Sequence, residues 1–348
     1  MKVYMMKSKW LLVFLALLVF RPGYGQVDVK IIEAGFIFEE APFEECHAST
    51  LVELNNGDIM ASWFGGEYER HPNVAIWTAV KSEKDWSVPK KVVDGKVDEH
   101  LSYPTWNPVL FKVSDEKLLL FYKEGPSPQE WWGMYLVSED DGKTWSESQR
   151  LPEGFLGPIK NKPIMLENGT ILAPSSVEDD KGWRAHIEIS KDQGKSWKKV
   201  NIDHEGDFDV IQPSILQHAD GRLQVLCRSK QNNVISAWSE DGGMSWSKLE
   251  KTELINPNSG TDAVTLANGQ HLIVYNPMAK GEDWSDGRNK LNLAISDDGI
   301  HWKDILILEN EEEGEFSYPA IIQSKDGRIH ISYTWKRKRV KYLKLVLK

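Results

Sequence analysis

The sequence predicts an all-β fold: a six-bladed propeller, four antiparallel strands per blade, with the ring closed by the N-terminal strand. Three observations predict it. A polar turn ending in tryptophan recurs as Ser138-Glu-Asp140-Asp-Gly142-Lys-Thr144-Trp145, as Ser190 to Trp197, as Ser239 to Trp246 and, shortened, as Ser296 to Trp302. The starting serines lie 52, 49 and 57 residues apart, a period that belongs to an array of similar β units. A strand–turn–strand phrase occurs six times, usually with Asn-Gly or Asp-Gly at the turn, which is a strong hairpin signal. Finally, the last unit lacks a fourth strand, while the segment from Val27 to Phe38 reads as a spare one. Pairing the two removes an open sheet edge.

Ahead of that segment stands a targeting signal. Lys2, Lys7 and Lys9 form a basic region, eleven apolar residues follow from Trp10 to Phe20, and Gly23-Tyr24-Gly25 fits a cleavage site. Eleven residues are too few to cross a bilayer, which needs ~20. The expectation is a signal peptide over residues 1–25, no stable membrane insertion, and a periplasmic or secreted protein. Residues 26–348 contain no linker or low-complexity stretch and read as one propeller domain. The acidic run Glu311 to Glu315 reads as a solvated loop.

Within the domain the hairpins cover residues 49–63, 108–122, 163–174, 213–227, 263–275 and 319–333. Four are followed by the tryptophan turn; the first has only the degenerate Lys81 to Trp86, and the last runs out of chain. Each turn has a physical logic. Asp and Ser hydrogen-bond a tight backbone, Gly takes its strained conformation, and Trp plugs into the blade.

The formal charge is −10, which argues against nucleic acid as the main partner, since that affinity rests on neutralising phosphates. Cys46 and Cys227 are the only cysteines, so no disulfide framework is expected and both read as small buried hydrophobes. No metal-ligand cluster, Gly-rich phosphate loop or G-x-S-x-G elbow is present in the sequence. No cofactor or metal is called for.

Strand polarity locates the candidate active face. The first strand of each blade starts on the face that carries the connections between second and third strands; the tryptophan turns lie opposite. The starts supply His47, Tyr103 with Trp106, Asn161 with Lys162, Gln212, Asp262 and Tyr318. The connections supply Glu69 and Arg70, Trp131 and Trp132, Trp183 and Arg184, Arg228, Trp284 with Arg288, and Arg337. Indoles suit the apolar faces of pyranose rings, and arginine suits a carboxylate or sulfate. Competing readings stay open here. His47 is either a core histidine or a base, Tyr318 either hub packing or an acid, and one of Arg337 and Arg339 faces solvent.

The sequence resembles the sialidase-like superfamily of Asp-box (BNR-repeat) propellers. The resemblance rests on the four turns, on Cys46 to Glu53 with Asn55-Asn-Gly57 and Trp63-Phe-Gly65-Gly66, on Glu69 with Asn73 to Trp77, and on Phe316 to Gln323 with Tyr333 to Leu343. It implies enzymes acting on terminal acidic sugars. Sialidases carry an early Phe-Arg-Ile-Pro phrase whose arginine joins two others on the substrate carboxylate; here Glu44 to Ser49 holds no arginine. Uronate-acting lyases and dehydratases of similar fold use a hub histidine. The first expectation is therefore β-elimination on a terminal uronic acid of an acidic oligosaccharide, with ulvan a plausible source. His47 would be the base, Tyr318 the acid, and Arg228 the cation neutralising the carboxylate. Glu69, Arg70, Tyr103, Trp106, Asn161, Lys162, Arg184, Gln212, Asp262 and Arg337 would bind substrate. The alternatives are a sialidase or other exo-glycosidase, with Tyr318 as nucleophile or Glu69 and Asp262 as a carboxyl pair, and a non-catalytic glycan-binding propeller.

Overall fold

The computed structural model describes residues 27–202, 208–283 and 285–348; the signal peptide expected at 1–25 and Trp284 lie outside them. All regular structure among these residues is strand, arranged as six antiparallel sheets. Blade 1 holds β2 (Glu45–Glu53), β3 (Ile59–Gly66), β4 (Ala75–Lys81) and β5 (Lys90–Lys96), with the two-residue β6 (Ser102–Tyr103) added at its rim. Blade 2 holds β7 (Thr105–Ser114), β8 (Lys117–Glu124), β9 (Trp132–Ser138) and β10 (Gln149–Arg150). Blade 3 holds β11 (Ile164–Met165), β12 (Ile171–Asp179), β13 (Gly182–Ser190) and β14 (Lys198–Asn201). Blade 4 holds β15 (Val210–Gln217), β16 (Leu223–Ser229), β17 (Asn233–Ser239) and β18 (Glu250–Ile255). Blade 5 holds β19 (Asp262–Thr265), β20 (His271–Tyr275), β21 (Lys290–Ser296) and β22 (Lys303–Asn310). Blade 6 holds β23 (Phe316–Gln323), β24 (Ile329–Trp335) and β25 (Arg339–Leu347), and its fourth strand is β1 (Val29–Phe36).

The closing pair runs from Val29 opposite Leu347 to Phe36 opposite Lys341. Around the hub, β23 returns against β2, which completes the ring. The core is six separate apolar wedges, each shared by two neighbouring blades. Alternation along the strands sends one face of each sheet to each neighbour, so both faces are buried. Cys46 and Cys227 sit in two of these wedges as buried free thiols, and burial pushes both up in pKa.

The tryptophan turns lie away from the hub-face loops, beside the turns that join first and second strands. Asn55 N donates to Asp141 Oδ2 at 2.7 Å, tying one turn to its neighbour. Inside each turn the pattern repeats: Ser138 Oγ donates to Asp140 Oδ1 at 2.8 Å and accepts from Gly142 N at 2.8 Å, while Thr144 N donates to Asp140 Oδ1 at 2.8 Å. Gly142, Gly194 and Gly243 have φ of 83°, 87° and 87°, where a side chain is strained. The bonds from Thr144, Ser196 and Ser245 hold the carboxyls of Asp140, Asp192 and Asp241 at about 2. Because these folded values lie below the usual 3.8, the carboxylates stabilise the fold above that value. That contribution is lost as the pH falls from 3.8 to about 2. Thermal melting followed against pH is expected to drop across that window. The Asp241→Asn variant, already weakened at neutral pH, is expected to drop less steeply; equal slopes would count against the turns as acid-sensitive elements.

Candidate functional site

Four of the six innermost strands share one device. Ala48, Asn107, Gln212 and Tyr318 all have positive φ, at 55°, 35°, 54° and 52°. Each lies at a register shift in its hairpin. Asn107, Gln212 and Tyr318 each precede a proline, which offers no N–H to the ladder, so a bulge forms there. Left-handed backbone at non-glycine residues costs about 1–3 kcal/mol each and persists where the surroundings hold it. Here it brings Gln212 and Tyr318 together across the hub.

Tyr318 Oη accepts a hydrogen bond from Arg228 Nη1 at 2.6 Å and one from Gln212 Nε2 at 3.3 Å. Arg228 also bonds the Asn258 side chain at 2.8 Å and the Asn258 carbonyl at 3.0 Å. Arg288 Nη2 donates to that same carbonyl at 2.7 Å, and its Nη1 to Glu315 Oε1 at 2.9 Å. Arg337 Nε takes the other Glu315 oxygen at 2.7 Å, and its Nη1 bonds Glu69. Three guanidinium groups from blades 4, 5 and 6 thus form one chain ending on a carboxylate of blade 1. Burial raises the Glu315 carboxyl, but Arg337 and Arg288 outweigh it and hold the group below its ordinary range. The site is therefore ionised and net positive around Tyr318.

His47 is 2% exposed, and its ring lies 4.0 Å from that of Tyr318, centroid to centroid. Its Nδ1 is buried with no hydrogen-bond partner among the described residues. Burial, then the charges of Arg337, Arg288 and Arg228, hold its pKa well below the imidazole range, so it is neutral. Beneath Tyr318 lies Lys160, whose Nζ donates to Asn161 Oδ1 at 2.8 Å, Thr261 O at 3.0 Å and Pro319 O at 2.6 Å. Burial lowers Lys160 to about 7. Asn161 in turn donates to the Gln212 carbonyl at 2.9 Å. Gly260 packs closely beside them: a Cβ there would lie 3.0 Å from the Lys160 side chain and 3.2 Å from that of Gln212, so one of the two would have to shift.

Several expected substrate contacts sit elsewhere. Asp262 accepts from Lys162 Nζ at 3.0 and 2.9 Å, Ser214 Oγ at 3.1 Å, Ala263 N at 2.9 Å and Ile321 N at 2.9 Å. A carboxylate with so many donors joins blades and has no capacity left for a carboxyl pair with Glu69. Arg184 lies at the β12–β13 hairpin tip, bound to Asp179. Arg70 is exposed. Trp106 is 2% exposed and donates Nε1 to the Gly125 carbonyl at 2.9 Å, so it is wall rather than platform. Tyr103 packs edge-on against Trp132 at 5.2 Å. Arg339 turns outward to Glu39 while Arg337 turns in.

The acidic run also needs correction. Glu311, Glu312 and Glu313 are exposed, but the side chain of Glu315 is only 11% exposed and clamps two arginines. Asn258, Glu315 and Lys160 were missed because a charged or amide side chain in a loop looks solvated from sequence. Glu178 was missed too; burial raises its carboxyl despite Arg228 and Lys230 nearby. The one available signal for it is its place at the end of a buried second strand.

Closed blades, repeated Asp-Gly turns and an arginine-lined hub define the sialidase-like class of BNR propeller. The chain belongs to the BNR repeat-like domain family, whose model matches residues 57–331. It is 24% identical over 214 residues to a sialidase of Bacteroides fragilis, covering 56% of this chain and 38% of that protein. A sialidase of Vibrio cholerae is 23% identical over 203 residues, covering 52% and 25%. The chain thus spans well under half the length of these curated relatives. Among solved structures, a protein of unknown function from Dyadobacter fermentans matches with TM-score 0.74 at 17% identity, covering 92% and 99%. The leech intramolecular trans-sialidase matches with TM-score 0.70 at 12% identity, covering 90% and 70%. At those identities the likeness is one of fold.

Proposed function

We propose that the protein is an exo-acting glycoside hydrolase of the sialidase type, taking a terminal acidic sugar from an oligosaccharide. The observation that carries this reading is the chain of Arg228, Arg288 and Arg337 around the Tyr318 hydroxyl. The expected arginine of the first blade is absent, and His47 stands there; Arg337 from blade 6 reaches the neighbouring position, with its carbonyl bonded by Cys46 N at 2.8 Å. Guanidinium groups hold a carboxylate in bidentate fashion and keep their charge at any working pH. The sugar carboxylate would lie among them, placing the anomeric carbon over Tyr318.

The chemistry then follows covalent catalysis. Tyr318 gives its phenol proton to the neutral His47 beside it and bonds through Oη to the anomeric carbon. The bond to the leaving oxygen breaks, and that oxygen takes a proton from the Glu178 carboxyl, His47 returning its proton when the tyrosine is released. Water, activated by the resulting carboxylate, then displaces the tyrosine. Arg228, already on the phenol oxygen, stabilises negative charge there during both steps.

A second reading, β-elimination from a terminal uronate, is favoured by one observation: the neutral, unpartnered His47 Nδ1 beside Tyr318. In it His47 takes the C5 proton and Tyr318 protonates the leaving oxygen. The curated relatives favour hydrolysis, so elimination comes second. Sialyl and uronate-ended oligosaccharides separate the two: hydrolysis releases the free acidic sugar, while elimination gives an ultraviolet-absorbing C4–C5 double bond. Neither product across both panels would sink both enzyme readings and leave a glycan-binding propeller. Arg228→Lys keeps the charge but loses the fork and its bond to Asn258; KM is expected to rise about 10- to 100-fold. An unchanged KM would remove Arg228 from the carboxylate site.

A further inference from the structure

Beside the hub site lies a recess of about 340 Å³ between blades 2 and 3. Trp131, Trp132 and Phe155 line it, with Arg150, Lys199 and Glu178. Neither the arginine chain nor Tyr318 uses it. Glu178 joins the two spaces, because it lines the recess and also feels the charges of Arg228, Lys230 and Glu69.

The recess is a built feature. Trp131 is set edge-on against buried Trp106 at 5.9 Å, and Trp132 edge-on against Tyr103 at 5.2 Å with the Arg150 guanidinium over its ring at 4.8 Å. The facing wall, Leu151 to Leu156, is anchored from behind by Glu188, which is fully buried. Its carboxylate accepts from Leu156 N at 2.9 Å and Gly157 N at 2.7 Å, and pairs with His186 Nε2 at 3.0 Å. Gly133 allows that wall to approach: a Cβ there would lie 2.7 Å from the Leu156 carbonyl. Half-buried indoles beside charged groups on a rigid frame match the apolar face and hydroxyl rim of a pyranose. A volume near 340 Å³ admits about one ring.

We propose that this recess is the subsite for the pyranose next to the terminal acidic sugar, so that the protein reads its substrate as at least a disaccharide. The inference rests on the acidic-sugar reading of the hub. It places the glycosidic bond beside Glu178, at the junction, where a proton donor to the leaving sugar is needed.

The test uses the full chain carrying Tyr318→Phe, to prevent turnover, and calorimetric titration with N-acetylneuraminic acid and 3′-sialyllactose. Glucuronic acid and a glucuronate-ended disaccharide form a parallel pair. The longer member of a pair is expected to bind about 10-fold or more tightly than its monosaccharide. Trp131→Ala and Trp132→Ala are expected to cut that advantage while leaving monosaccharide affinity in place. Trp131→Leu and Trp132→Leu, which keep an apolar plug but lose the flat ring, serve if the alanine variants fold poorly. No advantage for the longer ligand, or an advantage that survives in all these variants, overturns the proposal. If neither acidic monosaccharide nor its oligosaccharide binds, the hub reading fails by itself. Lactose then decides the recess: indole fluorescence that saturates with lactose and loses its response in Trp131→Leu supports a sugar subsite, and no response overturns it.

Discussion

Tyr318→Phe removes one oxygen and is expected to lower kcat by about 1,000-fold or more, with folding nearly unchanged. The expectation follows from the hub geometry. The hydroxyl is the atom on which Arg228 and Gln212 converge, at 2.6 and 3.3 Å. The ring itself stays fixed by His47 at 4.0 Å and by the bulge at φ 52°. Phenylalanine keeps those ring contacts but has no nucleophile and no proton to give. Single-turnover kinetics with a saturating substrate, alongside a thermal melt, checks both halves. Full activity in the variant would exclude tyrosine from either mechanism, hydrolytic or eliminative. A collapse of the melt with lost activity would instead make Tyr318 a hub-packing residue.

Asp262→Ala is expected to destabilise the fold by about 3–5 kcal/mol, because it leaves buried donors and one cation without their carboxylate. Asp262 is 2% exposed and takes bonds from blades 3, 4, 5 and 6 through Lys162, Ser214, its own neighbour Ala263, and Ile321. Denaturant unfolding should show a lower midpoint, and activity at low temperature should persist in whatever fraction remains folded. A stable but inactive variant would return Asp262 to the substrate site. The two substitutions are therefore a matched pair: one is expected to remove chemistry without stability, the other stability without chemistry.

The architecture was legible because it is written as a period. Gly142, Gly194 and Gly243 mark turns at nearly equal spacing, and hairpins such as 213–227 carry their own turn residues. Even the closure by β1 followed, since a missing fourth strand and a spare first one are complementary facts. Polarity then separated the faces correctly. It could not say which polar side chains at the hub face inward. Lys162 and Asp262 satisfy each other, and Arg184 pairs across its own hairpin with Asp179. The first pairing joins two blades across 100 residues of sequence and leaves no local trace; the second, five residues apart, shows only once the hairpin tip is folded. Glu315 shows the same limit from the other side, as three exposed glutamates precede it and nothing local distinguishes it. The third arginine was sought in blade 1, at its place in the resembling enzymes. Arg337 of blade 6 was read from sequence as a substrate-binding residue, with one of Arg337 and Arg339 facing solvent; the structure turns Arg337 in and Arg339 out.

That origin of Arg337 bears on how the arginine chain is assembled. Arg337 lies just before β25, the strand that pairs with β1 when the ring shuts. Its partner Glu69 belongs to blade 1, on the far side of the seam. Five blades can zip together in chain order, each sharing a wedge of core with the one before, and still lack a complete guanidinium chain. The link from Arg337 to Glu69 crosses the seam that is closed by the pairing of residues more than 300 positions apart, such as Val29 with Leu347. Contacts so distant in sequence form slowly. On dilution from denaturant, β-sheet signal should therefore return before the capacity to bind an acidic sugar. The seam acts as a checkpoint: a chain that has not closed its ring lacks the link between Arg337 and Glu69.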